Sequence, residues 1–327
     1  MPFDRAEIFA RFPWLQQRDL SMVIGDDLDA LLSALVLHHA MGWKVVGLYQ
    51  EYTTILYQGD ASAFRDAVWV DLDISQPTIR SIGHHILYDR PGQDESSHSL
   101  NLNLNRLRGV TGAMGRCTTK GEACGCGSST FRHKYPLGTA HFLLWLYDVK
   151  TPDIEWLDAL WWHADSTWIN GQSHKYAPNV KDWVQNYVAP TTLARRLNQI
   201  DSLGWEQSVA EKVIPFLQQF GFQHGRSQTS SRHLGISNWQ CQFQSLAAVP
   251  PDINAFWTAV GRECQLTPPR VLPGPWTRIK GLRRSGLLDA TVAADGGLPE
   301  FIRNKGVFSY VIPNGGRINW TSGIVAP

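Results

Sequence analysis

The hydrophobic pattern of the N-terminal half alternates short apolar runs with a longer helix-like stretch. From Ser21 onward, "SMVI" is followed by a helical pattern from Leu28 to Met41, and then by "KVVGLY", "AVWVD" and "SIGHHILY". Short apolar runs alternating with helical stretches are typical of βαβ units. Gly42 follows the last apolar position of the helical stretch, where helices commonly end. The pattern predicts an α/β fold with a parallel sheet.

The pattern changes further along the chain. The segment between Arg90 and Lys134 is rich in Gly, Ser, Asn and Cys, which predicts a long loop. Helical periodicity returns in "GTAHFLLWLYD", "DIEWLDALWWHAD", "PTTLARRLNQI" and "WEQSVAEKVIPFLQQFG". Beyond about Arg226 the chain breaks into short strand-like pieces such as "GVFSYVIPNGG" and "RINWTSGIV". We therefore expect an N-terminal domain over residues 1–200, a helical connector over 201–235 and a smaller α+β domain over 236–327.

Length and composition agree with a folded protein of two domains. The chain has 327 residues, more than the roughly 250–300 that a single core usually supports. Its 43% hydrophobic and 18% charged residues argue against intrinsic disorder. No window approaches the roughly 20 apolar residues of a membrane span, and the first residues lack an apolar signal core. Five cysteines, three of them crowded together, do not suggest a secreted disulfide framework. We expect a cytoplasmic protein that has no membrane partner.

The net charge of +1 hides an asymmetry between the two parts of the chain. Residues 1–105 carry 7 Lys or Arg against 14 Asp or Glu, whereas the remainder carries 23 against 15. An acidic front is suited to gathering metal and a basic rear to attracting phosphate. Two ordinary solvated surfaces would give the same counts, so the charge alone favours neither interpretation.

Three aspartates crowd the point where the first apolar run becomes helical. Asp26, Asp27 and Asp29 repel one another unless a cation lies among them, and a divalent metal ion is the usual solution. The alternative is a helix N-cap with an acid in the first turn.

Further candidate ligands stand at the ends of predicted elements, where α/β proteins place their sites. They are Asp71 in "VWVDLDIS", His84 and His85 in "SIGHHILYD", and Asp165 in "WWHADSTWIN". Carboxylates with one imidazole suit Mn²⁺. Asp73 is the rival to Asp71, which is favoured because it directly follows the apolar strand. The two histidines could instead be one core and one surface residue.

The order of these motifs resembles the DHH phosphoesterase superfamily. "DLDALLSAL", "VDLDIS", "GHH" and "ADST" are similar to its four motifs, over residues 21 to 175. "NLNLN" and "KYPLGTAHFLLWL" are similar to segments of RecJ-type single-strand exonucleases. The chain departs from the pattern at Gly83, where the family has its namesake aspartate, and at Gly25, where a histidine often precedes the first motif.

The resemblance implies a two-metal phosphodiesterase that uses Mn²⁺ or Mg²⁺, with a metal-bridging water that attacks phosphorus. It also implies that the smaller domain over 236–327 binds substrate. Carried over position by position, the metal ligands would be Asp27, Asp29, Asp71, His84 and Asp165. Asp27 and His85 would be catalytic, and His85 would orient a ligand or touch the phosphate.

Two other groups of residues are candidates for binding. A structural Zn²⁺ site could form from Cys117, Cys124, Cys126 and His133. Their C-x6-C-x-C spacing departs from the common C-x2-C knuckle, and free thiols in a flexible loop are the alternative. An aromatic platform with cations, the pattern of single-strand binding, is offered by Trp276, Arg278, Lys280, Arg283 and Arg284. A solvated basic loop explains the second group equally well.

The leading hypothesis is a metal-dependent phosphodiesterase that hydrolyses single-stranded nucleic acid, in the manner of an exonuclease. The first alternative is the same chemistry on short oligonucleotides or cyclic dinucleotides. The second is a catalytically inactive binding or scaffold protein with the DHH fold, an alternative motivated by Gly83 and Gly25.

Overall fold

The computed structural model describes residues 4–85, 97–102, 135–164, 177–186, 202–231, 236–243, 248–314 and 317–324. The strands are β1 (Ser21–Gly25), β2 (Lys44–Gln50), β3 (Thr54–Tyr57), β4 (Val68–Val70), β5 (Ser81–Gly83), β6 (Ser99–Asn101), β7 (Phe222–Ser231), β8 (Ile236–Phe243), β9 (Thr277–Lys280), β10 (Leu282–Leu287), β11 (Val307–Asn314) and β12 (Arg317–Ser322). The helices are α1 (Arg5–Arg11), α2 (Leu28–Met41), α3 (Ala61–Arg65), α4 (Thr139–Leu146), α5 (Glu155–His163), α6 (Ala177–Asn186), α7 (Ser202–Ser208), α8 (Ile214–Gln218), α9 (Ile253–Cys264), α10 (Leu288–Ala294) and α11 (Leu298–Lys305). Short 3-10 and π-helical segments occupy Pro13–Gln16 and Val209–Val213.

Within these residues the main sheet has seven strands in the order β6-β5-β4-β1-β2-β3-β9. The strands from β6 to β2 are parallel to one another, whereas β3 and β9 join antiparallel. The parallel strands are almost wholly buried, as expected for a sheet with helices packed against it. The predicted α/β fold is therefore confirmed.

Helix α2 lies at the centre of the protein. Its residues from Leu28 to Leu37 are all buried, and it packs against β1 and against α4. The Asp27 carboxylate caps its first turn, and Gly42 ends it with φ at 72°, a left-handed value that suits glycine. Trp257 of α9 donates its Nε1–H to the Leu31 carbonyl over 2.9 Å. Residues on both sides of the predicted connector thus share one hydrophobic core.

A small antiparallel sheet, in the order β10-β12-β11, lies near the C-terminus. Its inner face packs on α10 and α11 through a separate cluster that includes Leu288, Phe301 and Trp320. Ser309 connects it to the main sheet, because its hydroxyl lies 3.0 Å from the Tyr49 hydroxyl. The expected smaller C-terminal α+β part is confirmed, whereas the division at residues 200 and 235 stays a prediction.

Two details differ from the sequence prediction. The long loop predicted between Arg90 and Lys134 was wrong at Ser99–Asn101, which forms β6 at the edge of the sheet. A three-residue strand is too short to show periodicity, so its sequence resembles the loop around it. The strand-like C-terminal part also contains the helix Ile253–Cys264. No helix among the described residues is long and apolar enough to cross a lipid bilayer.

Candidate metal centre

Three buried side chains meet at the carboxyl end of the parallel strands. Asp71 directly follows β4, His84 directly follows β5, and Asp29 lies in the first turn of the helix that follows β1. Each offers one ligand atom, and these atoms all lie within 4.8 Å of one another. Neighbouring parallel strands end at the same edge of a sheet, so residues far apart in sequence converge here.

The distances within this cluster suit a shared divalent ion. His84 Nδ1 lies 3.2 Å from Asp71 Oδ1 and 3.7 Å from Asp29 Oδ2. Ligands bonded at about 2.1 Å are separated by about 3.0 to 3.4 Å in octahedral or tetrahedral sites. Two carboxylates and one imidazole are a donor set that Mn²⁺ and related ions accept. The described residues therefore fit a metal ion.

Asp71 combines an unusual backbone with an unfavourable charge. Its φ of 60° lies in the left-handed region, which aspartate and asparagine adopt more readily than most residues. Burial raises the pKa of Asp71, as does the charge of Asp27, while His84 opposes the shift. An ionised Asp71 is thus poorly stabilised by its surroundings alone, and a bound cation would stabilise it.

Asp29 also has a structural role that the sequence did not reveal. Its two carboxylate oxygens accept the backbone N–H groups of Thr139 and Ala140, over 2.7 and 2.9 Å, at the N-terminus of α4. The missing side chain of Gly138 makes this possible, because a Cβ there would lie 2.5 Å from Asp29 Oδ1. Each carboxylate oxygen has a second lone pair, so this capping leaves room for a metal ion.

Thr139 is a member of the centre that sequence reasoning missed. Its hydroxyl donates to Asp71 Oδ1 over 2.8 Å and lies 3.0 Å from His84 Nδ1. A hydroxyl residue beside a small residue at a predicted helix start, as in "PLGTAHF", was the available signal. Thr139 therefore fixes the orientation of two of the three candidate ligands.

A second carboxylate–histidine pair lies beside the first. Asp73 Oδ2 accepts from His85 Nδ1 over 3.0 Å and from the His85 backbone N–H over 3.2 Å, while Asn101 Nδ2 donates to Asp73 Oδ1 over 2.6 Å. The rings of His84 and His85 stack at 4.8 Å. Burial by itself lowers the pKa of His85, but the hydrogen bond and charge of Asp73 outweigh it and raise that pKa above its ordinary value. Asp73 is thus a partner of His85 as Asp71 is of His84.

Asp27, Asp165 and the candidate zinc ligands are the other residues predicted to bind metal. Asp27 is half-buried and accepts the Ala30 N–H over 2.9 Å, as a helix cap does. It lies outside the group of described ligand atoms within 4.8 Å, although its charge acts on Asp71, so its role as a ligand stays a prediction. Asp165 lies outside the described residues, as do all the candidate zinc ligands, Cys117, Cys124, Cys126 and His133.

The predicted substrate-binding residues are distributed along two consecutive strands. Trp276 is half-buried against the main core. Arg278 and Lys280 of β9 and Arg284 of β10 are exposed. Arg283 is exposed as well and places its guanidinium 5.6 Å from the ring centre of Tyr52. These cations thus lie on exposed strands with one arginine against an aromatic ring, and their role in substrate binding stays a prediction.

Arg283 also lines a pocket between the two sheets. The walls of the pocket include Tyr52, Asp73, His85 and Asn319. The Asp73–His85 pair therefore borders this pocket. The Asp29–Asp71–His84 cluster lies directly behind it, since the two imidazoles stack.

Tyr52 reaches this pocket from a strained turn. Glu51 and Tyr52 both have left-handed φ values, 49° and 55°, and the Thr53 N–H donates to the Gln50 carbonyl over 3.0 Å. This is the type I′ geometry that usually carries Asn-Gly, and each non-glycine residue in it costs roughly 1 kcal/mol or more. Gly281 holds the turn by donating its N–H to the Thr53 carbonyl over 2.6 Å. Strain of this kind is often retained at functional sites.

The buried carboxyl of Asp26 is expected to make the free energy of unfolding depend on pH. Burial raises its pKa to about 7, although the Glu51 backbone N–H opposes the shift. The unfolded chain ionises near pH 4 and the folded protein near 7, so the free energy of unfolding should fall by up to about 4 kcal/mol across that range. In Asp26→Asn this contribution should disappear, which makes the variant more stable at pH 8 and equal at pH 4.

The measurement is urea unfolding of the metal-free protein at pH 4, 6 and 8. Asp252→Asn, at an exposed position, is the matched control and should follow the parent at each pH. A decline in Asp26→Asn as steep as that of the parent would show that Asp26 does not carry this effect.

Comparison of the chain with known protein families, with curated proteins and with solved structures finds no match in any of the three.

Proposed function

We propose that this protein is a metal-dependent phosphodiesterase of the DHH type that hydrolyses single-stranded nucleic acid with Mn²⁺ or Mg²⁺. The observation that carries the proposal is the buried Asp29–Asp71–His84 cluster at the carboxyl end of the parallel sheet. A divalent ion at such a cluster lowers the pKa of bound water and stabilises charge on a phosphoryl oxygen.

The residues of the chain have separable tasks in this function. An ion would be held by Asp29, Asp71 and His84. The Thr139 hydroxyl orients Asp71 and His84 through its hydrogen bonds to both. His85 borders the pocket beside the cluster and is the nearest candidate for contact with a phosphate. The helix N-terminus at Thr139 fixes the carboxylate of Asp29, so this ligand is held before any ion arrives.

Exposed cations on the strands beside the pocket favour single-stranded nucleic acid as the substrate. On strands β9 and β10, the side chains of Arg278, Lys280 and Arg284 are exposed to solvent. Arg283, also on β10, lines the pocket. A strand of nucleic acid needs several cations to neutralise successive phosphates. A short oligonucleotide or cyclic dinucleotide would instead need fewer cations, because it carries fewer phosphates.

A second candidate function is a catalytically inactive binding or scaffold protein. The cluster is largely satisfied by its own hydrogen bonds, since Asp29 caps α4 and Asp71 accepts from Thr139. A structural polar network of this kind can exist for packing alone.

The deciding experiment measures hydrolysis and metal binding together. Labelled single strands, duplexes and dinucleotides are incubated with the purified protein and Mn²⁺, Mg²⁺ or chelator. We expect hydrolysis of single strands that depends on the metal, and a melting temperature that Mn²⁺ raises because an ion that binds only the folded state stabilises it. No binding of either ion in a calorimetric titration would favour the scaffold.

The choice between long and short substrates rests on the exposed cations. Arg278, Lys280 and Arg284 are replaced together by alanine. The slope of log affinity against log salt should then become shallower by about 2, because each phosphate contact contributes about 0.7 to it. A control with equal charge change replaces the exposed Lys212, Arg270 and Arg303 and should keep the slope of the parent. Equal slopes in both variants would favour the dinucleotide, whose hydrolysis should be unchanged by either triple substitution.

A further inference from the structure

Gly83 leaves a notch at the end of β5 that the Asp73 carboxylate fills. A Cβ built at Gly83 would lie 2.4 Å from Asp73 Oδ1 and 2.6 Å from both Cγ and Oδ2. Atoms cannot approach so closely, so any side chain at position 83 would displace Asp73. The presence of glycine here is therefore coupled to the placement of a carboxylate from the segment that follows the neighbouring strand β4.

Backbone conformation does not account for this glycine. Among the described glycines, those with left-handed φ include Gly42, Gly59 and Gly221 but not Gly83. Gly83 is an ordinary strand residue, paired with Asn101 of β6, and alanine would fit its backbone. Space for Asp73 is thus the requirement that the structure shows.

Asn101 and the backbone of His85 hold the Asp73 carboxylate in the notch. Asn101 donates to its Oδ1 over 2.6 Å, and the backbone N–H of His85 donates to Oδ2 over 3.2 Å. Asn101 also donates to the His85 carbonyl over 2.9 Å, so it ties the backbone of His85 to the same carboxylate. An acceptor-only group held this firmly decides which nitrogen of its imidazole partner carries the proton.

His85 is that partner. Its Nδ1 lies 3.0 Å from Asp73 Oδ2, and because a carboxylate only accepts, Nδ1 must be the protonated nitrogen of the neutral ring. Nε2, on the far side of the ring, then keeps its lone pair. His85 is one-fifth exposed and lines the pocket, whereas His84 is enclosed.

We infer that Asp73 is a positioning residue: seated in the Gly83 notch, it holds the proton of the neutral His85 ring on Nδ1 and leaves Nε2 as the nitrogen available to the ligand of the pocket. The inference deepens the proposed function and rests on it for the identity of the ligand. Because Asp73 engages Nδ1, Nε2 is the nitrogen that takes a proton from a ligand or, once protonated, donates to a phosphate oxygen.

The test observes the imidazole directly. The metal-free protein, labelled with ¹⁵N-histidine, is followed by NMR as the pH is raised until the His85 signals stop shifting, and the His85→Asn spectrum identifies those signals. In the parent we expect the Nδ1-protonated tautomer. In Asp73→Ala the Nε2-protonated form should become the major one. The signals of His38, whose Nδ1 lies 2.8 Å from the Trp43 carbonyl, should stay fixed as the internal control.

Position 83 offers a rescue that a purely structural role for Asp73 would not predict. In the double variant Asp73→Gly with Gly83→Asp, a carboxylate reaches the same space from the opposite strand and should restore the Nδ1-protonated form. Gly83→Ala alone should act like Asp73→Ala, because its Cβ displaces the carboxylate, and it supplies the same reading should the double variant not fold. We expect hydrolysis to fall by about 10- to 100-fold in Asp73→Ala through kcat, with KM little changed.

An unchanged tautomer in both Asp73→Ala and Gly83→Ala would overturn the inference. So would a folded double variant that keeps the tautomer of Asp73→Ala. The NMR measurement needs neither metal nor substrate, so a failure of the proposed phosphodiesterase activity would leave this result readable.

Discussion

Asp71→Asn is expected to weaken Mn²⁺ binding by more than about 100-fold while it raises the free energy of unfolding of the metal-free protein at pH 7. Loss of a residue that merely supports a ligand costs about 10- to 100-fold in metal affinity, so loss of a ligand should exceed this. Stability rises because burial, and then the charge of Asp27, raise the pKa of Asp71 and make its ionised form unfavourable. Asparagine removes the charge, keeps an acceptor for the Thr139 hydroxyl and tolerates the left-handed backbone.

The measurements are calorimetric titration with Mn²⁺ and urea unfolding in chelator. The gain in stability should shrink as the pH falls below the raised pKa of Asp71, and it should vanish only near pH 4, where the unfolded chain is also protonated. Asp153→Asn, an exposed aspartate, is the control for removal of one charge. Undiminished Mn²⁺ affinity in Asp71→Asn would remove Asp71 from the candidate centre.

Asp29→Asn should also abolish metal binding, but with the opposite effect on stability. Both oxygens of Asp29 accept backbone N–H groups at the N-terminus of α4, where the helix dipole favours a negative charge. Asparagine has one carbonyl oxygen, and its NH₂ would face an N–H donor. The loss of one charge-assisted bond and the burial of an unpaired donor should lower the free energy of unfolding by about 3 kcal/mol.

Comparing the stabilities of the two variants is a sharper test of the centre than either variant alone. The same substitution at two carboxylates of one cluster is expected to stabilise at one position and destabilise at the other, in the same buffer and without metal. Unfolding in chelator at pH 7 measures both. A stable Asp29→Asn protein would mean that the cap of α4 does not depend on the carboxylate charge.

Much of the architecture can be predicted from the sequence because its strands and first helix obey simple patterns. The apolar run before Asp26 and the stretch from Leu28 to Met41, ended by Gly42, are local features, and they form β1 and α2 as predicted. The strand Ser99–Asn101 is different, since its three residues become a strand through pairing with β5 alone. Local patterns therefore predict long elements and miss short ones that depend on their neighbours.

The candidate site was predictable in its members but not in their connections. Asp29, Asp71 and His84 follow predicted strands, which is why they could be named beforehand and why they meet at one edge of the sheet. The capping of α4 by Asp29 joins residues 110 positions apart, and no local pattern reports it. The pairing of Asp73 with His85 likewise depends on the space at Gly83, which only the packed structure reveals.

The position of β9 at the edge of the main sheet affects how the chain folds during synthesis and how truncated chains behave. The buried residues of β3, Thr54–Tyr57, pair with β2 on one side and with Thr277–Lys280 on the other. Until that late segment leaves the ribosome, one flank of β3 has its backbone groups unpaired, and such a flank recruits other chains. Truncated proteins that end before Thr277 should therefore aggregate through β3 even when every candidate metal ligand is present. In the full chain β9 pairs with that flank and becomes the edge of the sheet, where exposed Arg278 and Lys280 should disfavour self-association whether or not they meet a phosphate.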